Sequence, residues 1–157
     1  MAEIELLKQI REKAAQRKKT IILPESHDER VLRAAEFLTK EKVASIITLG
    51  DEDKIRADAS KLGVDLQGIR IIDPDKSDKL SDFANIFYNQ RKHKGVTIEK
   101  ARETVRRDIF FAGMMLREGM AHGSVAGSIA TTGDVTRAGI FCVGLGEGMS
   151  ILSSFFL

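Results

Sequence analysis

The chain has 157 residues, 43% hydrophobic and 31% charged, with 25 Lys and Arg against 23 Asp and Glu for a net charge of +2. That length supports one domain with a real core, and the near balance of charge gives no argument for nucleic acid as a partner. A single cysteine, Cys142, excludes a disulfide framework and a cysteine-rich metal site and points to a reducing, cytosolic setting; neither a signal peptide nor an apolar run long enough to span a membrane is present.

Taken in chain order, residues 4–17 read as an amphipathic helix. Ile4, Leu7, Ile10 and Ala14 fall at helical spacing, with Lys8, Arg11, Glu12 and Arg17 on other faces. Residues 20–23 form a short buried strand ended by Pro24. The charged hexad Glu25-Ser26-His27-Asp28-Glu29-Arg30 follows. Ser26 and Asp28 are candidate N-caps for a helix through Thr39, whose core face is Val31, Ala34, Ala35 and Leu38. For the hexad itself, a cap with first-turn acids matched to the helix dipole is an adequate reading. Residues 44–49 form the second strand, and residues 53–62 a helix with Gly63 as its stop. Residues 69–72 form the third strand, ended by Asp73-Pro74. Strands alternating with helices of this length predict βαβ units, right-handed crossovers and a mainly parallel sheet between two helical layers.

A long helical block follows. Residues 80–94 form one helix, interrupted by Gly95; residues 97–106 form the next, capped by Thr97. Residues 109–116 are apolar almost all round, so this helix is buried and Phe110, Phe111, Met114 and Met115 are core. The segment from Tyr88 to Gly95 crowds Arg91, Lys92, His93 and Lys94 at a helix end. Two readings stand equal for it: cations complementing the helix dipole, or a clamp for a polyanionic ligand such as a phosphate-bearing cofactor.

The centre of the chain is GSVAGSIATTGDVTR, residues 123–137. Residues 125–129 read as a buried strand. Thr131, Thr132 and Gly133 form a loop, and a helix starts at Asp134 with Arg137 in its first turn. Such a junction leaves backbone N–H groups free at the sheet edge, where an anion fits, and Arg137 adds a fork of donors suited to phosphate. The alternative is a tight turn that binds nothing. Residues 138–143 read as helix, 144–148 as a flexible turn and 151–157 as an apolar strand in need of an edge to pair with. The chain reads as the front part of something longer.

Familiar motifs are missing. There is no G-x-G-x-x-G, no P-loop lysine after Gly144 and no G-x-S-x-G elbow. His27, His93 and His122 show no metal-ligand spacing, and His122 reads as a surface residue. Cys142 reads as a small buried hydrophobe.

FYNQRKHKGVT and VAGSIATTGDVTR, with LPESHDER before them and SSFFL after, stand in collinear order over nearly the whole chain. In this the sequence resembles the phosphate acetyltransferase (phosphotransacetylase) family, which also includes phosphate butyryltransferases and the non-decarboxylating C-terminal domain of some malic enzymes. The resemblance implies an α/β fold of two three-layer αβα domains with the active site between them. It also implies acetyl transfer between acetyl phosphate and coenzyme A, with no metal in the chemical step. Residues 1–149 would be most of the first domain, and residues 150–157 the strand leading into a second. The chain by itself would then be inactive, because the serine, arginine and aspartate that the family carries near its C-terminus fall outside it. Arg91 matches the arginine of the family's RKHKG motif, implicated in coenzyme A binding. Arg137 matches the arginine facing the reacting phosphate and coenzyme A, and is the expected catalytic residue. Ser128, Thr131, Thr132 and Gly133 join Arg91 as expected substrate-binding residues. Coenzyme A is expected as substrate, with no covalently bound cofactor, and a homodimer is expected for the full-length protein. A non-catalytic acyl-coenzyme A sensing domain and a phosphate butyryltransferase are the alternatives. The chain departs from the family at Ala130-Thr131-Thr132, usually His-Ser/Thr-Ser/Thr, at Arg137-Ala138, usually Arg-Pro, and in glycine-rich residues 139–150. These departures bear on substrate preference.

Overall fold

In the computed structural model, which describes residues 5–149, the alternating apolar runs become four parallel strands. They are β1 (Thr20–Leu23), β2 (Ser45–Leu49), β3 (Arg70–Ile72) and β4 (Gly123–Ser124), in the order β3-β2-β1-β4. Register is fixed by pairs such as Ile22 with Ile47 and Ile22 with Ser124. Alternation then sorts side chains between the two faces. Ile22, Ile47 and Leu49 enter one core, while Leu23 and Ile46 enter another. Thr48 is fully buried and its hydroxyl donates to the Leu23 carbonyl at 2.9 Å, so the strand pair buries no unpaired hydroxyl there.

Helices cover both faces, giving the expected three layers. On the Leu23/Ile46 side lie α2 (Glu29–Lys40) and α3 (Glu52–Leu62). Asp28 caps α2 by accepting from Arg30 N–H, and Asp51 caps α3 by accepting from Lys54 N–H. Each such cap stabilises its helix by about 1 kcal/mol. Gly63 ends α3 in the left-handed region at φ 65°, the stop anticipated for it. Ser26 is not the cap: its hydroxyl donates to the Leu49 carbonyl at 2.6 Å and ties the ends of β1 and β2 together. The core face of α2 also differs from expectation. Leu32 and Ala35 are buried, Val31 and Leu38 are half-buried, and Ala34 faces solvent. The helix is turned so that Leu32 meets Ile55 and Val64.

On the other face lie α4 (Leu80–Arg91), α5 (Ile98–Val105), α6 (Asp108–Arg117) and α7 (Thr132–Ala138). The helix expected over residues 80–94 tightens after Arg91 into a 3-10 turn, Lys92–Lys94, closed by Gly95 at φ 79°. α6 is the centre of the larger core. Phe110, Phe111, Met114 and Met115 are all buried, and Phe111 meets Phe83 edge-on at 5.0 Å between centroids. Gly113 lets α6 lie against the following segment, since a Cβ there would sit 2.8 Å from the Cys142 Cβ. α1 (Glu5–Arg17) forms as a helix, but its apolar positions stay uncovered: Leu6, Leu7 and Ile10 are exposed.

The largest departure is at β4. The strand expected over residues 125–129 is instead two residues long, Gly123–Ser124, and Val125 and Ile129 are exposed. Val125 N–H still donates to the Ile22 carbonyl, after which the chain leaves the sheet. α7 starts at Thr132, capped by Thr131, so Arg137 lies in its last turn and not its first. α7 runs straight into a π-helical turn, Gly139–Val143. The strand expected over residues 151–157 lies outside the described residues.

Candidate active site

The strand order reverses direction between β1 and β4. From β1 the chain builds outward through β2 and β3, then returns to place β4 on the other side. Ligands of open parallel sheets sit at such a switch point, beyond the carboxyl ends of the strands. Here that point holds a carboxylate from the chain itself. Glu25, just beyond β1 and only 3% exposed, accepts four backbone N–H bonds from the loop just beyond β4. Oε2 takes Gly127 at 2.6 Å and Ser128 at 2.9 Å; Oε1 takes Ile129 at 2.8 Å and Ala130 at 2.6 Å. Burial raises the Glu25 pKa, but the four amides together outweigh it and hold the carboxyl below its ordinary value.

The rest of the hexad pins the same loop. The Ser128 hydroxyl donates to Asp28 Oδ2 in a very short hydrogen bond. Arg30 Nη2 bonds Asp28 at 2.6 Å and also donates to the Ser128 carbonyl at 3.0 Å and hydroxyl at 2.9 Å. The Arg30 and Ser128 hydrogen bonds hold the Asp28 carboxyl far below the usual carboxylate range. The hexad is therefore more than a helix cap: it clasps the loop from residues about a hundred positions away in sequence.

That clasp fixes the approach to α7, where four arginines meet. Arg137 Nη1 donates to Asp134 at 2.9 Å, and Arg107, at the start of α6, reaches the same carboxylate at 3.6 Å. Arg91, at the end of α4, lays its guanidinium 3.7 Å from the centre of the Phe141 ring. Phe141 lies four residues beyond Arg137 on the continuous α7–π segment. Arg117, at the end of α6, donates to the Cys142 carbonyl at 3.2 Å, and the Gln90 amide, assigned with its oxygen toward the guanidinium, accepts from it as well. The Nε of Arg91 is buried without a hydrogen-bond partner among the described residues. Asp134 pairs with two of these cations, and Glu118 lies 4.0 Å from Arg117.

Cys142 is fully buried in this wall, and burial pushes its thiol up to about 12, which leaves it an inert core atom. Among the described residues no group of His, Cys, Asp and Glu is arranged to hold a metal ion, and no helix is long and apolar enough to cross a membrane.

A separate cleft of about 370 Å³ opens beyond β1, β2 and β3, lined by His27, Asp51, Lys54, Asp73, Lys76 and Asp108. Its charges are largely satisfied internally. Lys76 bridges Asp51 at 3.0 Å and Asp73 at 3.1 Å, and Arg106 holds Asp75 at 2.5 Å. Among the described residues Asp108 has no such cation: burial pushes its carboxyl up to about 6, with His27 opposing and Asp73 and Asp75 adding to the rise. An unfolded aspartate titrates near 4, roughly two units lower. The unfolded chain therefore ionises this group first, and Asp108 erodes stability as pH rises from about 4 to about 6. Asp108→Asn is expected to raise the urea midpoint at pH 7, with the gain over the parent protein gone at pH 4. Paired denaturation curves at the two pH values check it.

The anticipated site residues thus fall into two groups. Arg91 stacks on Phe141, four residues beyond Arg137, while Arg137 pairs with Asp134. Thr131, Thr132 and Gly133 stand exposed at the start of α7, and Thr131 accepts from Asp134 N–H at 3.1 Å. Ser128 sits apart, its hydroxyl committed to Asp28 and Arg30. Glu25, Asp28, Arg107 and Arg117 escape a reading of the sequence, since each acts across long separations. One local signal was available: Thr131-x-x-Asp134 is a capping pattern that places the helix start two residues earlier.

Residues 5–157 match the family described as phosphate acetyl/butaryl transferase. The phosphate acetyltransferase of Thermoanaerobacterium thermosaccharolyticum is 43% identical over 97% of this chain and 46% of its own length. That of Clostridium acetobutylicum is 42% identical over 98% and 46%. Among solved structures, a phosphotransacetylase from Streptococcus pyogenes superposes with a TM-score of 0.88 at 32% identity, covering 96% of this chain and 46% of that one. The EutD phosphotransacetylase from Staphylococcus aureus gives 0.83 at 34% identity, covering 94% and 44%. The chain spans about half the length of these relatives. The match over residues 5–157, carried by a chain with this parallel sheet, settles the family: the chain belongs to the phosphate acetyl/butyryl transferases.

Proposed function

We propose that the protein is a phosphate acetyltransferase, moving an acetyl group between acetyl phosphate and coenzyme A, and that this chain supplies the arginine wall of its active site. The observation that carries the reading is the meeting of Arg91, Arg107, Arg117 and Arg137 on one helical segment. Both substrates are polyanions. Bringing them together requires fixed cations that lower their mutual repulsion and hold them in reacting geometry.

In this reading Arg91 binds coenzyme A. Its stacking on Phe141 holds the guanidinium plane in place. Arg137 faces the phosphate of acetyl phosphate. One of its N–H groups is spent on Asp134, and the side chain is 54% exposed. Thr131, Thr132 and Gly133 line the same approach, and Ser128 contributes through the shape of the clasped loop. The thiol sulfur attacks the acetyl carbon as its proton leaves to a general base, which is not among the residues placed here. The carbon–oxygen bond then breaks, and phosphate departs with the electron pair toward Arg137. The chemistry asks for coenzyme A as a substrate and for no covalently held cofactor. A cytoplasmic location and a homodimeric whole protein complete the proposal.

The test begins with coenzyme A binding to the 157-residue chain by calorimetry. Arg91→Ala is expected to weaken it about tenfold or more, the cost of losing a charge-assisted, pre-oriented phosphate contact. Equal binding by the variant would remove Arg91 from the site. Steady-state assays on the whole protein with acetyl and butyryl phosphate decide the acyl group, and no acyl transfer with either would sink the enzymatic reading.

A further inference from the structure

We infer that Glu25 is a positioning residue: its carboxylate fills the four-amide cradle of residues 127–130 and thereby sets the backbone that presents Thr131, Thr132 and Arg137 to the phosphate. The functional half of this inference rests on the phosphate acetyltransferase reading.

The argument starts from an accounting of donors. Four successive N–H groups converging on one small region would, in open solution, attract an anion. A carboxylate with both oxygens engaged, at 2.6–2.9 Å, already satisfies all four. The cradle is thus closed to substrate phosphate, which is left with the side chains beyond it. The location makes the clasp consequential. Glu25 stands directly after β1 and the cradle directly after β4, so these bonds join the two strands that flank the switch point. β4 itself is only two residues long and, among the described residues, pairs with β1 alone, too short to fix the loop that follows. Ala130 is the last residue in the cradle, and the next, Thr131, caps α7. A shift of the cradle therefore carries directly into the start of α7 and along it to Arg137.

Charge and length of the side chain both matter. Glu25→Gln keeps the shape but offers one accepting oxygen and an amino group that meets N–H groups head-on. Glu25→Asp keeps the charge but falls one methylene short. Both should leave β1 and β2 intact, because neither touches the Ile22–Ile47 pairing.

Two measurements test the inference independently. The first is hydrogen exchange on the 157-residue chain. Amides 127–130 are expected to exchange about tenfold faster in Glu25→Gln than in the parent, with Ile47 and Thr48 amides unchanged, and added formate is expected to restore protection in Glu25→Ala. Unchanged exchange at 127–130 in both Gln and Asp variants overturns the clasp, whatever the enzyme reading. The second is steady-state kinetics of the whole protein. The KM for acetyl phosphate is expected to rise about tenfold in Glu25→Gln and Glu25→Ala, with the KM for coenzyme A within about twofold and formate lowering the first alone in Glu25→Ala. Loss of both KM values together, or of neither, overturns the positioning role. If the parent protein shows no acyl transfer, the functional reading fails while the exchange result still decides whether Glu25 holds the loop.

Discussion

Truncating Phe111 to alanine is expected to destabilise the fold by about 3–5 kcal/mol, the cost of emptying a buried aromatic site. Phe111 is 1% exposed in the middle of α6 and meets the Phe83 ring at 60° and 5.0 Å. The surrounding Ile22, Ile47, Met114 and Met115 belong to the same core and rest on a sheet that cannot collapse into the gap. A domain of this size is stable by about 5–15 kcal/mol, so the loss removes a large share. Urea denaturation checks it. A double cycle with Phe83→Ala is expected to return a coupling of about 0.5–1.5 kcal/mol for the ring pair beyond simple burial. A loss below about 1 kcal/mol would mean that α6 is not the keystone of the larger core.

α6 was legible because its sequence leaves no alternative. A helix that is apolar all round must be buried, and FFAGMMLR has no polar face to offer solvent. The first three strands were legible for a related reason: short β-branched runs bounded by Pro24, Gly50 and Asp73-Pro74 have few other readings. β4 was not. Val125 and Ile129 carry the strand-like composition, yet they are exposed, and the two residues that pair are Gly123 and Ser124. Pairing there depends on a groove left beside β1, which is a property of the fold and not of the segment. The core face of α2 was misread by about one residue for a similar reason, since Leu32 is chosen by Ile55 and Val64 from another element.

The site divides in the same way. Arg91 and Arg137 stand out as candidates through residue type and a glycine-bounded or small-residue context, and a family resemblance suggests roles for them. Glu25 does not, because its meaning lies in amides 102 to 105 positions downstream. Read locally it is one acid among several before a helix. Arg107 and Arg117 likewise look like ordinary solvated helix ends. Only when α4, α6 and α7 converge does each acquire a partner on the same segment: Asp134 for Arg107, and the Cys142 carbonyl for Arg117. Sequence points to candidate substrate-facing groups more readily than to the groups that hold a loop in place.

Arg137 is where that distinction is sharpest, and its replacement by alanine is expected to lower kcat for acyl transfer by the whole protein about 100- to 1,000-fold, the range seen when one preorganised donor to a developing charge is removed. The side chain is half exposed and its hydrogen bond runs to Asp134, so the fold loses little. The unfolding free energy should change by no more than about 0.5 kcal/mol, as for other surface substitutions. Arg137→Lys keeps the charge without the planar fork and is expected to recover part of the rate, leaving a deficit of about tenfold. Asp134→Asn separates the two roles of this cluster. It weakens the anchor that Arg137 shares with Arg107 but leaves the guanidinium in place, so the KM for acetyl phosphate should change more than kcat. If Arg137→Ala retains activity within about threefold of the parent, the reacting phosphate is held elsewhere, and Arg107 becomes the next residue to replace.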